Sequence, residues 1–418
     1  MRIRNRALLG ISTVVTLALL AAGCADGSAD TDADEEAAVG AEADDGEVED
    51  ADSAGENADE DTDSAGEDAD EDSQMDDIDP VTFTFASFVD DQNPHMLAWQ
   101  SWMEQVTERT GGAVTFESNY SGALCEAALI NSCATDGVID IGFSTPAYTP
   151  SDFPIGGISN VPFQTSNLQA NGNALNALYR DTPELQAELE GQNQHLLWYA
   201  PADVSVLATT QPVEDLEDLS GRSIRAVGDV VPAFEALGIN PVAVGPGEMY
   251  ESLQRGVLDG AFFPLDGQAG FRHFEVAEYF YDLGQYTGSV AALQTTINLD
   301  VWESLDPAIR NVMTEVSEEL ASSIVDEFFA PAFRRDCELV LEEASDFSEI
   351  GPTAEGEAWA AEWGERLMQD WIEGATEAGI EGAEEIASDF LSLLREYEES
   401  DPEAARGGTV CLEMAQGD

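Results

Sequence analysis

The sequence contains no lysine. All 15 basic residues among its 418 are arginines, set against 85 Asp and Glu, and the formal net charge is −70. A nucleic-acid partner is excluded, because binding a phosphate backbone by counterion release needs a basic face. An anionic membrane surface is an equally poor partner. Histidine is scarce, with only His95, His195 and His273, and no Cys or His spacing matches a zinc site. The chain has no Gly-x-Ser-x-Gly elbow, no His-Glu-x-x-His helix and no phosphate loop. No metal, cofactor or catalytic residue is therefore expected, and the chain does not read as an enzyme. An exported hydrolase using a carboxylate pair stays open only because acids are so numerous. An acidic surface or calcium-binding protein is the other class left standing.

What is present is unevenly spread. Residues 25–79 carry 26 acids and no base, which leaves 59 acids against 12 arginines beyond Asp79, a net of −47. Self-repulsion at that charge works against a compact state in dilute buffer. At ~1 M salt the Debye length falls to ~3 Å and the repulsion is largely screened. Missing lysine and surplus carboxylate together suggest a protein that works in brine. Hydrophobic residues make up 43%, enough for a packed core, and the length suits two or three domains.

The first 24 residues have the form of an export signal. Arg2, Arg4 and Arg6 precede an apolar stretch from Ala7 to Ala22, too short and wrongly flanked for a membrane span. Leu20-Ala21-Ala22-Gly23-Cys24 resembles a bacterial lipobox, which predicts lipidation of Cys24 and a place on the outer face of the cytoplasmic membrane. Residues 25–79 then read as a disordered acidic tether, in which Asp52–Thr62 is nearly repeated by Asp63–Ser73. As a neutral coil it would reach ~40 Å. Asp61, Asp63, Gly66 and Asp72 echo a calcium-loop spacing, but Ala65 falls on a ligand position and Asp72 replaces the usual Glu. A solvated spacer is the better reading.

Four cysteines remain after such processing: Cys125, Cys133, Cys337 and Cys411. An even count in an exported chain favours disulfides. Of three possible pairings, local closure suggests Cys125 with Cys133, leaving Cys337 with Cys411 to pin the C-terminal tail.

The remainder repeats one pattern. Val81–Phe85 alternates like a strand, Asn93-Pro94 starts a helix, and Gly111-Gly112 stops it. A strand over 114–120, a helix over 123–134 and a buried strand from Val138 to Phe143 follow. Later, a strand at Ser223–Val227, short helices over 232–237 and 247–255, and an apolar strand from Val257 to Phe263 repeat the unit. Each unit ends in an apolar strand with an internal acid, Asp140 or Asp259, and these acids are expected to hold turn amides. Two α/β lobes are the simplest account. Ligands of open α/β sheets sit beyond the carboxyl ends of the strands, which sets Ser144–Tyr148 against Phe263–Asp266 across one cleft. The rest is helical. Asp306-Pro307 opens a helix with a break expected near Pro331. Trp359, Trp363, Leu367 and Trp371 stripe one further helix, and Ile386, Phe390, Leu393 and Leu394 another.

Arg225 stands inside the apolar strand Ile224-Arg225-Ala226-Val227. A buried guanidinium needs a carboxylate. That partner is either one of the chain's own acids or a ligand, whose carboxylate the planar fork can grip at two points.

Two longer motifs, Leu216-Glu-Asp-Leu-Ser-Gly-Arg-Ser-Ile-Arg225 and Glu248-Met-Tyr-Glu-Ser-Leu-Gln-Arg-Gly-Val-Leu-Asp-Gly260, resemble those of solute receptors of TRAP (tripartite ATP-independent periplasmic) transporters. Val161-Pro-Phe163, Gly137-Val-Ile-Asp140 and Asn298-Leu-Asp-Val-Trp302 are similar to weaker motifs of that family. The resemblance runs from about Val81 to Glu399. It implies a two-lobed periplasmic-binding-protein-like α/β fold with hinge strands and a long C-terminal helical part. The expected division is 80–203 plus about 289–338 for one lobe, and 204–288 plus about 339–418 for the other. The resemblance also implies capture of a small organic acid by hinge closure, with delivery to the membrane subunits of a TRAP-type transporter by a monomeric receptor. The family's ligand-clamping arginine falls on Arg225. Phe263 stands where the family often has Asn. Val206-Leu-Ala-Thr-Thr210 lacks the second arginine of the sialic-acid branch, which argues against that ligand. Ser87, Phe88, Thr145, Tyr148 and Trp198 are expected to line the cleft with Phe263 and Asp266, the aromatic rings enclosing one anchored carboxylate. A receptor for an ATP-driven importer is the nearest alternative.

Overall fold

The computed structural model describes residues 78–288, 291–350, 354–401 and 405–417. The export signal, Cys24 and all but the last two residues of the tether lie outside them. The chain opens with β1 (Val81–Ser87), helix α1 (Pro94–Arg109), β2 (Val114–Asn119), β3 (Ile141–Ser144), helix α2 (Leu168–Asp181) and β4 (Gln194–Pro201). It continues through β5 (Ser205–Thr209), β6 (Ser223–Arg225), β7 (Asn240–Val242), β8 (Gly260–Pro264), helix α3 (Leu265–Gly270) and β9 (Tyr279–Tyr281). After β10 (Ala292–Asn298) come α4 (Pro307–Ile324), α5 (Ala330–Glu343), β11 (Asp346–Ser348), α6 (Ala354–Glu377), α7 (Ala383–Ser400) and α8 (Gly407–Gln416).

Two sheets form, in the orders β2-β1-β3-β10-β4 and β11-β9-β5-β8-β6-β7. Each keeps a parallel set, β2-β1-β3 in one and β8-β6-β7 in the other, beside antiparallel neighbours. The chain crosses from the first sheet to the second between Pro201 and Ser205 and returns between Tyr281 and Ala292. It crosses again along α4 and α5, since β11 belongs to the second sheet. The expected two-lobed α/β architecture is therefore present, and the two sheets share one buried apolar cluster threaded by α4 and α5.

Local chemistry explains the elements. The Asn93 side chain caps α1 by accepting from the His95 N–H, and Pro94 occupies its first turn. Trp99 and Trp102 are buried from that helix and stack on each other. Both apolar strands start later than the sequence predicts, at Ile141 and Gly260 rather than at Val138 and Val257, which are 59% and 60% exposed. The acids cause the delay. Asp140 Oδ2 accepts from Thr84 N at 2.7 Å, and Asp259 Oδ2 accepts from Ser223 N at 2.8 Å. Each side chain takes the place of a ladder bond at the mouth of its strand, so the same residue does the same task in both lobes.

The helix expected over 123–134 is reduced to Ile130–Thr135 preceded by a single tight turn. The chain turns at Ser121 and Gly122, both at positive φ, and Cys125 is bonded to Cys133. Cys337 is bonded to Cys411, which fixes α8 to α5. The break expected near Pro331 takes the form of a π-helical turn at Val325–Phe329, through which the helix continues. Helix α7 packs on α2, with Ile386, Phe390 and Leu394 against Ala174, Leu175 and Leu178.

Candidate functional site

Arg225 ends β6, a strand of three residues between β8 and the edge strand β7 of the second sheet, and is 7% exposed. It forms no ion pair among the described residues. Its Nε donates to the Val244 carbonyl at 3.3 Å and its Nη1 to the Phe262 carbonyl at 3.2 Å. The guanidinium carbon stands 4.8 Å from the centre of the Phe263 ring. Of five N–H donors, two are committed to carbonyls that fix the fork, and three carry no partner. Burial lowers its pKa, and the Tyr148 phenol opposes the shift. The group stays cationic all the same. A buried cation without a counter-ion is costly in a chain with 85 acids to choose from, and an arriving carboxylate relieves that cost.

Tyr148 reaches this charge from the other lobe. It ends a single turn after β3 that is capped by Thr145, whose Oγ1 accepts from Ala147 N at 3.3 Å. Burial raises the Tyr148 pKa, and Arg225 pulls it back. Its ring meets Phe88 edge-on at 5.7 Å, and Phe88 stacks on Phe143 at 5.7 Å. On the Arg225 side, Phe263 lies 6.2 Å from His273 and 6.4 Å from Phe271. Phe263 from the second lobe thus stands beside the cation, and Tyr148 from the first lies within reach of its charge.

His273 was not evident from sequence as a site residue, although the scarcity of histidine is a signal that marks it. It is fully buried, and its Nδ1 lies 2.8 Å from Gln268 Oε1. The Gln268 amide donates to the Ala261 and Val206 carbonyls, so its oxygen faces the histidine as an acceptor. Nδ1 therefore carries the proton, and Nε2 is an acceptor with no partner. Burial, helped by the Arg225 charge, lowers its pKa to about 4, so the ring is neutral at pH 7.

Other expected site residues sit differently. Ser87 is buried at the end of β1, its Oγ accepting from Val89 N at 3.1 Å, and Thr145 caps its turn. Trp198 is 2% exposed and packs against Trp99 and Trp102, so it is not brought together with the Arg225 group. Asp266 bridges the lobes: its Oδ2 accepts from Asn93 Nδ2 at 3.0 Å. Burial raises the Asp266 pKa. The sequence marks Asn93 as a helix cap, and its contact with Asp266 is an additional role. Two open cavities of about 640 and 660 Å³ lie on the first lobe, beside Tyr179, His195 and Trp302 and beside Met103 and Phe116, away from Arg225.

The model of one family, described as bacterial extracellular solute-binding protein, family 7 (DctP), matches residues 85–336. The curated protein YiiZ of Salmonella typhimurium, itself uncharacterized, is 27% identical over 183 residues, 43% of this chain and 56% of that protein. The chain thus spans little more than half the length of that relative. A TRAP periplasmic solute binding protein from Desulfovibrio salexigens, solved as an open complex, shares the fold at TM-score 0.68 and 23% identity, over 78% of this chain and 98% of that one. A marine metagenome TRAP solute binding protein, specific for aromatic acid ligands and crystallised with 3-hydroxybenzoate, aligns at TM-score 0.65 and 22% identity, over 77% and 99% of the two chains. At these identities the structural likeness speaks for the fold alone.

Proposed function

The chain belongs to family 7 of the bacterial extracellular solute-binding proteins, and from that premise we propose that it captures a small organic acid between its two lobes and presents it to the membrane subunits of a TRAP-type transporter. The carrying observation is Arg225: a buried guanidinium, fixed by two carbonyls, with no carboxylate among the described residues paired to it. The ligand carboxylate meets its free donors, and Tyr148 closes over them from the opposite lobe. Excluding water strengthens the contact, because the interaction of charges grows as the effective dielectric falls. Closure follows only where the ligand binds the closed form better than the open one. Nothing in this sequence of events consumes the ligand, so the protein acts as a receptor and not as an enzyme.

In this reading, lobe one comprises 80–203 with about 289–338, and lobe two 204–288 with about 339–418, except that α7, which packs on α2, goes with lobe one. The receptor is exported, held as a monomer by a lipidated Cys24 on the acidic tether of residues 25–79, and adapted to brine. Cys24→Ala should release it from membranes into the soluble fraction. Its melting temperature should climb between ~0.1 M and ~1 M salt as repulsion is screened. The central test is a thermal-shift and calorimetric panel of organic acids in high salt on the wild type and Arg225→Ala. Stabilisation of the wild type alone supports the reading. A panel in which no acid binds, or in which the variant responds equally, removes it.

A further inference from the structure

We propose that the ligand is a monocarboxylate with an aromatic body, not a dicarboxylate or a sugar acid; this rests on the receptor reading above. The first ground is charge. Among the described residues, Arg225 is the one cation brought into the aromatic cluster. Arg222 donates to the Asp218, Gln211 and Pro212 carbonyls, and Arg272 is paired to Glu275. Neutral His273 offers a second carboxylate no charge, and Arg335, the cation whose field reaches Asp266, is already paired to Asp336.

The second ground is the surface offered to the rest of the molecule. A sugar acid carries several hydroxyls that each need a partner when buried. Apart from the Tyr148 hydroxyl and His273 Nε2, the side chains linked by ring contacts here are apolar: Phe88, Phe263 and Phe271. The faces and edges of such rings suit another ring in offset or edge-on packing.

The third ground is the room that the fold leaves for the Phe263 ring. Gly267 stands one turn further on in α3, and a methyl group added there would overlap the Phe263 ring. The glycine leaves the ring room to stand 4.8 Å from the guanidinium carbon. An amide at 263 would offer polar contacts to a hydroxylated ligand, whereas the ring offers none.

The experiment is titration calorimetry in high salt with benzoate, phenylacetate, succinate and galacturonate. It compares the wild type with Phe263→Asn and Tyr148→Ala, after circular dichroism has shown that each variant is folded. Benzoate or phenylacetate should bind the wild type at least about tenfold more tightly than succinate or galacturonate, and each variant should lose about tenfold or more for the aromatic acids. Should Phe263→Asn fail to fold, Tyr148→Ala at the half-exposed site carries the same comparison. Equal or tighter binding of succinate or galacturonate overturns the aromatic inference and leaves the receptor intact. Failure of all four acids to bind overturns both.

Discussion

The side-chain amide of Gln169 is inserted into the backbone ladder of the long interlobe helix at Ala321. Its Nε2 donates to the Ala321 carbonyl at 2.7 Å, and its Oε1 accepts from Val325 N at 3.2 Å. These two backbone groups would otherwise bond each other one turn apart. The amide takes both, and the π-helical turn Val325–Phe329 starts at that point, just before Pro331, which has no N–H to give. A helix that crosses between two lobes is thus interrupted at a defined place by a side chain from α2.

This makes Gln169 a control on lobe movement. Gln169→Ala leaves Ala321 O and Val325 N free to pair with each other, which straightens the helix. We expect ligand affinity to change by about tenfold or less in either direction. The radius of gyration of the ligand-free protein should shift, because the helix no longer bends at the same place. Solution scattering with and without ligand is the measurement, and unchanged profiles would show that the π-turn does not govern the lobes.

Asn93 and Asp266 provide a second link between the lobes, close to the first crossing. His95, two residues beyond Asn93, places its Nε2 3.0 Å from the carbonyl of Pro201, where the chain leaves the first sheet. A hydrogen bond to a charged group contributes about 1.5–3 kcal/mol. Asn93→Ala should therefore weaken ligand binding by roughly tenfold, and it should also cost about 1 kcal/mol through the lost helix cap. Asp266→Asn should act in the opposite direction on stability. Burial raises the folded pKa of Asp266 above its unfolded value. The stability this carboxyl contributes is complete below the unfolded pKa of about 4 and is lost as the pH rises through the folded pKa. The asparagine variant escapes that loss. Melting curves of the two proteins should diverge on going from about pH 4 to pH 7, with the variant the more stable at neutrality. Parallel curves would mean that Asp266 carries no raised pKa.

Gly267 is where a small change should have a local effect. Gly267→Ala places a methyl group in the Phe263 ring, which must swing away from Arg225. Alanine is the better helix former by about 1 kcal/mol, so the fold is not expected to suffer. A cation–ring contact is worth about 0.5–2 kcal/mol, and affinity for the acid should fall by about two- to thirtyfold with little change in melting temperature. Equal losses of both would point to general unfolding of α3.

Much of this was legible in the residues, for reasons that can be stated. The two-lobe plan followed from a repeated strand–helix–strand unit. The shared task of Asp140 and Asp259 followed from an acid recurring at the same point in both units. Arg225 stood out because a cation in an apolar strand has few explanations. What escaped depends on contacts distant in sequence. Gln169 meets Val325 across 156 residues, and no local pattern announces it. The orphan Nε2 of His273 depends on which way the Gln268 amide faces. The resemblance puts Trp198 at the cleft, yet its side chain packs against Trp99 and Trp102. The helix over 123–134 was read from composition, while the bond between Cys125 and Cys133 accompanies turns at Ser121 and Gly122 that composition does not reveal.

The two disulfides should differ in what they do. Closing a loop removes entropy from the unfolded chain in proportion to the logarithm of loop length. The separations are 8 residues for Cys125–Cys133 and 74 for Cys337–Cys411, which by chain entropy correspond to about 2.5 and about 4.4 kcal/mol. The longer tie also has a structural consequence. It holds α8, and Arg406 just before α8 donates to Asp282 Oδ1 at 2.7 Å. Asp282 is 1% exposed and lies on the return crossing between the sheets. Leaving that carboxylate without its cation would cost about 3–5 kcal/mol. Cys337→Ala combined with Cys411→Ala should therefore lower stability more than the paired change at 125 and 133, and it alone should also weaken ligand binding through the crossing. Guanidinium denaturation at fixed salt measures the first effect, and calorimetry with the best-binding acid measures the second. Equal destabilisation by both pairs, with affinity untouched in each, would show that the C-terminal helix is a passive appendage to the hinge.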